Sequence, residues 1–243
     1  MKFTKMHGCG NDFVVLDGPI EVSRDRVREL CDRRRGIGAD GILVIGAARG
    51  RCWPVVIHNA DGSQGESCGN GARCVARYLL DRHGGDALEL AFPGGTVIAQ
   101  RNDAGISVTF AAPGTPERLP IDSTHAYRVS FGNPHVVRFV TDPANADLPA
   151  LAASGRAAAG DANIEVAHIL ADDLIVLRVD ERGVGETLAC GTGACATVAA
   201  AACEQRMAER VTVRVRGGDL VVRAGARTFE LAGPAEYVFE GTT

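Results

Sequence analysis

The chain predicts an α/β fold of two pseudo-symmetric domains, each a curved sheet or barrel wrapped around a central helix. Three observations carry that expectation. The first is a repeat: Cys68-Gly69-Asn70-Gly71-Ala72 recurs as Cys190-Gly191-Thr192-Gly193-Ala194, 122 positions later in a chain of 243 residues. The same offset lays Gly10-Asn11-Asp12-Phe13-Val14-Val15 on Gly132-Asn133-Pro134-His135-Val136-Val137 with four of six positions identical. It also pairs Gly41-Ile42 with Asn163-Ile164, and Asn59 with Glu181. The second observation is that strand and helix patterns alternate, twice over. The third is Ala111-Ala112-Pro113-Gly114-Thr115-Pro116-Glu117, a linker near the midpoint. Domains of 1–114 and 115–243 follow, with a last strand from about 236 to 243 returning to the first domain. A pseudo-two-fold between the halves brings both cysteines to one shared cleft, where the active site is expected.

Element by element, Phe3 to Asp17 reads as a strand broken by the His7-Gly8-Cys9-Gly10-Asn11 turn. Ser23 can cap a helix running to about Arg34, with Val27, Leu30 and Cys31 on one face. Gly41–Ile45 and Pro54–His58 read as short buried strands. After Cys68, the apolar residues Ala72, Val75, Ala76, Leu79 and Leu80 follow helical spacing, and Gly84-Gly85 ends the run. The counterpart, Ala194 to Cys203, is apolar nearly all round and therefore belongs inside. Strands follow each helix at 87–92, 95–100 and 107–110, and again at 211–215, 220–223 and 229–231. The Ala-rich stretch from Asp142 to Asp161 yields no assignment.

Apolar residues make up 46% of the chain, enough for two cores, but aromatics are only 5%, so aliphatic side chains must fill them. A net charge of −4 with both signs interspersed excludes an electrostatic case for nucleic acid or acidic membranes. The basic run Arg33-Arg34-Arg35 reads as a solvated helix end. The eight cysteines lack the close spacing of zinc sites, so reduced thiols and no metal are expected. The N-terminus has no apolar signal-peptide stretch. The longest uncharged run, Thr187 to Cys203, is shorter than the roughly 20 residues of a spanning helix, so the protein is expected in the cytoplasm.

Cys68 and Cys190 each open a glycine-rich turn into a helix. A helix N-terminus offers unpaired N–H groups and a positive dipole end, both of which favour thiolate over thiol. The following glycines let the backbone approach a carboxylate closely. Two such units suit stereoinversion, one thiolate removing a proton from one face of a carbon while the opposed thiol delivers one to the other. No nucleotide or pyridoxal fingerprint is present, so a cofactor-free reaction is expected.

These blocks, with His7-Gly8-Cys9-Gly10-Asn11-Asp12-Phe13, Gly36-Ile37-Gly38-Ala39-Asp40-Gly41, Asn59-Ala60-Asp61-Gly62-Ser63, Gly132-Asn133-Pro134-His135 and Glu181-Arg182-Gly183-Val184-Gly185-Glu186-Thr187, resemble the diaminopimelate epimerase family in order and nearly throughout. Position 41 is Gly where some members carry a side-chain donor. The resemblance implies interconversion of LL- and meso-2,6-diaminopimelate in lysine and peptidoglycan precursor synthesis, by a homodimer. It implies Cys68 and Cys190 as acid/base thiols, with His135 and Glu181 moving protons to and from them. It further implies that Gly69, Asn70, Gly191 and Thr192 hold the carboxylate at the reacting carbon. Asn11, Asn59, Asn133, Asn163, Glu181 and Arg182 would read the far end of the substrate. On residue type alone, the asparagines beside Gly, Asp or Pro could serve turns instead. The nearest alternative is a racemase of the same fold acting on histidine or proline, which would not need Arg182 and so many asparagines. A thiol redox protein would need close cysteine pairs, and a binding module would need no paired thiols.

Overall fold

The computed structural model describes residues 1–65, 69–103 and 105–243, which form four helices and eighteen strands. The chain forms two compact units, Met1–Val108 with Gly233–Thr243, and Thr109–Ala232.

The first unit contains β1 (Lys2–Gly8), β2 (Asn11–Asp17), α1 (Arg24–Cys31), β3 (Gly41–Ile45), β4 (Cys52–Asn59) and β5 (Gln64–Gly65). It continues with α2 (Gly69–His83), β6 (Ala87–Phe92), β7 (Gly95–Asn102) and the start of β8 (Gly105–Ala111), whose last three residues are counted with the second unit. The second contains β9 (Glu117–Ile121), β10 (Thr124–Ser130), β11 (Pro134–Phe139), α3 (Leu148–Ala159), β12 (Asn163–Ala171), β13 (Leu174–Glu181) and β14 (Gly185–Thr187). Then come α4 (Gly191–Glu204), β15 (Arg210–Val215), β16 (Gly218–Ala224) and β17 (Thr228–Gly233), and β18 (Glu236–Thr242) closes the chain.

Pairing repeats as the sequence does. In the first unit β1 and β2 are antiparallel, β2 and β3 parallel, β3 and β4 antiparallel, β4 and β6 parallel, β6 and β7 antiparallel. In the second the same succession runs β10, β11, β12, β13, β15, β16. Even the outermost strands correspond, since β18 lies antiparallel on β1 and β9 on β10. Each parallel pair is bridged by a crossover that carries a helix, as a parallel connection requires.

A central helix fills each unit. On α2, Val75, Ala76, Leu79 and Leu80 are buried, and the helix packs against β1, β2, β3, β6 and β7. On α4 every residue from Gly191 to Ala201 is buried, against β10, β11, β12, β13 and β16. An all-apolar helix surrounded by strands is what its lack of a polar face demands.

Three local expectations are corrected. The first helix ends at Cys31, not near Arg34, because the Asp32 carboxylate accepts from the amides of Arg34 and Arg35, both at 2.8 Å, and turns the chain. Ile37 and Gly38 then donate back to Leu30 O. The basic run therefore lies past the helix end; Arg33 is exposed as expected but ion-paired, its Nη2 2.7 Å from both Asp12 and Asp40. The unassigned Ala-rich stretch is α3, capped by Asp147 accepting from Ala150 N at 3.1 Å. It packs Leu148, Ala152 and Ala159 on Ile164 and Val166 of β12.

Asp12 sits under Arg33 and 2.6 Å from the buried Lys5 ammonium. Burial alone would raise its carboxyl, but Arg33 and Lys5 outweigh that and hold it at about 2, below the ordinary 3.8. The linked stability, on the order of 2 kcal/mol, is present above about pH 4 and lost as pH falls through about 2. Urea unfolding at a series of pH values should therefore show Asp12→Asn destabilised near neutrality, with the gap to wild type closing below about pH 4. A constant gap would contradict this account of Asp12.

Candidate active site

The second unit builds its site on the first turn of α4. Cys190 is the N-cap, in extended backbone, and its Sγ accepts from Gly193 N at 3.4 Å. The Thr192 hydroxyl lies 3.5 Å from the same sulfur. Gly191 and Thr192 occupy the first helical positions, whose N–H groups have no acceptor within the helix. The bare Gly193 leaves these groups their present positions: a Cβ would stand 2.5 Å from Glu165 Oε1 and 3.3 Å from Cys190 Sγ.

The thiol does not follow the expectation of a lowered pKa. Burial pushes Cys190 well above the ordinary thiol value, and the Glu181 and Glu165 carboxylates push it the same way. Thr192 and Gly193 oppose them but do not win. The local helix end is outweighed by desolvation of a residue only 6% exposed. Cys190 therefore rests as a thiol, a proton donor.

Behind it lies His135 on β11, wholly buried. Its Nδ1 is 2.7 Å from Glu165 Oε1, and its Nε2 is 3.1 Å from Asn133 Oδ1. His135 and Asn163 are register partners on the parallel pair β11 and β12. Asn163 Oδ1 accepts from Arg182 N at 2.8 Å and so fixes the end of β13. Glu181 Oε1 accepts from Thr187 Oγ1 at 2.5 Å. The Arg182 side chain is 45% exposed, with its Nε 3.8 Å from Asp161, too long for a hydrogen bond. The unit thus gathers Asn133, His135, Asn163, Glu181, Arg182, Cys190, Gly191 and Thr192.

In the first unit, Asn11 Nδ2 donates to Asp40 at 2.8 Å and its Oδ1 accepts from Asn70 Nδ2 at 3.2 Å. Arg73 holds Asn70 in turn, donating to its Oδ1 at 2.8 Å. Gly69 opens α2, and its carbonyl accepts from Arg73 Nη1 at 3.2 Å. Asn59 serves its turn, donating to Ser63 Oγ at 2.9 Å. Gly41 provides no side chain, and a Cβ there would stand 2.6 Å from His58 O. Cys68 directly precedes Gly69 in sequence and lies outside the described residues.

Glu165 is the site residue that sequence reasoning missed. With His135 and Cys190 it offers three donor atoms within 4.8 Å of one another. As a metal site the group fits poorly. The Nδ1 to Oε1 separation of 2.7 Å is a hydrogen-bond length. Ligands on a tetrahedral zinc, with bonds of about 2.0–2.1 Å, stand about 3.3 Å apart. The spacing suits proton handling.

A model of the diaminopimelate epimerase family matches residues 3–114 and again 127–238. A protein named diaminopimelate epimerase in Alkalilimnicola ehrlichii is 39% identical over 99% of this chain and 98% of its own length. One of the same name in Bacteroides thetaiotaomicron is 36% identical over 99% and 97%. Among solved structures, a phenazine biosynthesis protein of the PhzF family from Bacillus anthracis superposes with a TM-score of 0.77 at 13% identity, covering 99% of this chain and 98% of that one. A probable proline racemase from Agrobacterium radiobacter gives 0.71 at 16% identity, covering 100% and 92%. These two show a shared fold. The paired family matches, one on each repeat, together with full-length relatives at this identity, make the chain a member of the diaminopimelate epimerase family, and so an isomerase.

Proposed function

We propose that this protein interconverts LL- and meso-2,6-diaminopimelate without a cofactor, passing the α-proton between Cys68 and Cys190. The observation that carries the reading is Cys190: a buried thiol at a helix N-cap, backed by His135 and Glu165, beside two helix-terminal amides. Cys68 precedes the equivalent helix of the other repeat. In this reading the two sulfurs address one α-carbon from opposite faces. One takes the proton as thiolate while the other gives one as thiol. The N–H groups of Gly191 and Thr192, and of Gly69 and Asn70, meet the carboxylate as negative charge develops beside it. His135 and Glu181 exchange protons with the thiols between turnovers.

The remote end of the substrate is an amino acid, and Arg182 with Glu181 matches its two charges. Asn11, Asn59, Asn133 and Asn163 complete that recognition. Action in lysine and peptidoglycan precursor synthesis, as a homodimer in the cytoplasm, rests on family membership. No helix of the described residues is long and apolar enough to cross a membrane. A proline- or histidine-type racemase is the alternative, but the probable proline racemase matched here is only 16% identical, against 36–39% for relatives named diaminopimelate epimerase.

The test is turnover of LL-diaminopimelate against proline, histidine, glutamate and lysine, followed by optical rotation or chiral separation. Diaminopimelate is expected to be the only good substrate. Faster turnover of any of the other four would overturn the substrate assignment.

A further inference from the structure

Glu165 stands on β12, in the middle of the second unit's sheet, with β11 parallel on one side and β13 antiparallel on the other. Side chains alternate faces along a strand. Ile164 and Val166 turn to the α3 side, where they pack with Leu148, Ala152 and Ala159. Glu165 turns to the other, toward the first turn of α4. A Cβ on Gly193 would touch its Oε1 at 2.5 Å. That position, with 0% exposure, would ordinarily hold an aliphatic side chain. A carboxyl group there costs several kcal/mol unless its charge or its proton is used.

Its surroundings use only half of it. Oε1 is bonded to His135 Nδ1 at 2.7 Å, whereas Oε2 has no hydrogen-bond partner among the described residues. The imidazole is gripped at both ends, because Nε2 faces Asn133 Oδ1 at 3.1 Å. A ring held between two such oxygens has its orientation set for it. Carboxylate, imidazole and thiol each keep an atom within the same 4.8 Å.

We infer that Glu165 is a positioning residue for this reaction: it orients His135 and sets the charge against which the Cys190 thiol gains and loses its proton. This rests on the two-thiol reading above. An aliphatic side chain would fill the space as well, but would leave His135 Nδ1 buried without an acceptor. The bare Gly193 is the complementary half of the arrangement, since a Cβ there would stand 2.5 Å from the present position of Glu165 Oε1.

The test is Glu165→Gln, which keeps the shape and removes the charge. Expected is a fall in kcat of about tenfold to a hundredfold, the scale of a perturbed acid/base group, with KM changed little. The Cys190-linked limb of the pH–rate profile should also move to lower pH, because a negative neighbour has been removed from the thiol. Independently of turnover, the pH at which iodoacetamide alkylates Cys190, followed by peptide mass spectrometry, should move the same way. Glu165→Asp should recover part of kcat and return the alkylation profile toward wild type. A folded Glu165→Gln protein with wild-type kcat, pH profile and alkylation profile would overturn the role. If wild type itself failed to epimerise diaminopimelate, the proposed function would fall instead. The alkylation profiles would then still decide whether Glu165 governs the Cys190 proton.

Discussion

Cys190→Ala is expected to fold normally and to epimerise at least about a hundredfold more slowly than wild type, and Cys68→Ala to do the same. The substitution at 190 removes one sulfur from a site whose packing comes from α4 and the surrounding strands, so stability should change little. What is lost is the thiol that, in this reading, exchanges the α-proton at this helix start. The hydroxyl of Thr192 is close to the sulfur position, 3.5 Å away, but a hydroxyl is far too weak an acid to replace it. Steady-state turnover and circular dichroism on the same preparations check both halves of this expectation. Near-normal turnover in either folded variant would sink the two-thiol mechanism.

Arg182→Met should lower kcat/KM for diaminopimelate by about tenfold to a hundredfold, the loss of one charge-assisted hydrogen-bonding group worth roughly 1.5–3 kcal/mol. The side chain is 45% exposed, and its ion-pair neighbour among the described residues, Asp161, lies at 3.8 Å, so its removal should not disturb the fold. Its backbone N–H is held by Asn163 regardless of side chain, which keeps the strand end in place. The loss should appear in kcat as well as KM, because binding of the remote end aligns the reacting carbon. Measured kinetics that leave kcat/KM unchanged would remove Arg182 from the substrate site.

Much of this was legible because the signals were local. A cysteine before Gly-x-Gly-Ala and an apolar run announces a helix start, and both α2 and α4 begin one residue after such a cysteine. The repeat announced the common pairing order. Glu165 was not legible. In Asn163-Ile164-Glu165-Val166 a polar residue alternating with apolar ones reads as the wet face of a half-buried strand. Here β12 has α3 on one face and α4 on the other, so both faces are dry, and only tertiary packing reveals it. The Cys190 pKa failed for a related reason: the helix end is a local feature, whereas burial and two carboxylates arrive from elsewhere in the fold. Arg33 found Asp12 from 21 positions away, which no reading of a basic run anticipates. For α3 the signal was present, in Asp147 as cap and a proline in the first turn, but alanine repetition without an apolar stripe obscured it.

The most direct test of two opposed thiols is the fate of the α-proton in deuterium oxide. LL-Diaminopimelate is converted for a small fraction of one equilibration, and both isomers are recovered for mass analysis. With two acid/base groups, the proton removed by one thiol is not the one delivered by the other. The meso product formed early should then carry solvent deuterium at the inverted carbon, while the remaining LL substrate keeps its protium. Product that retains the original protium would mean that a single group both removed and returned it, and would contradict the mechanism.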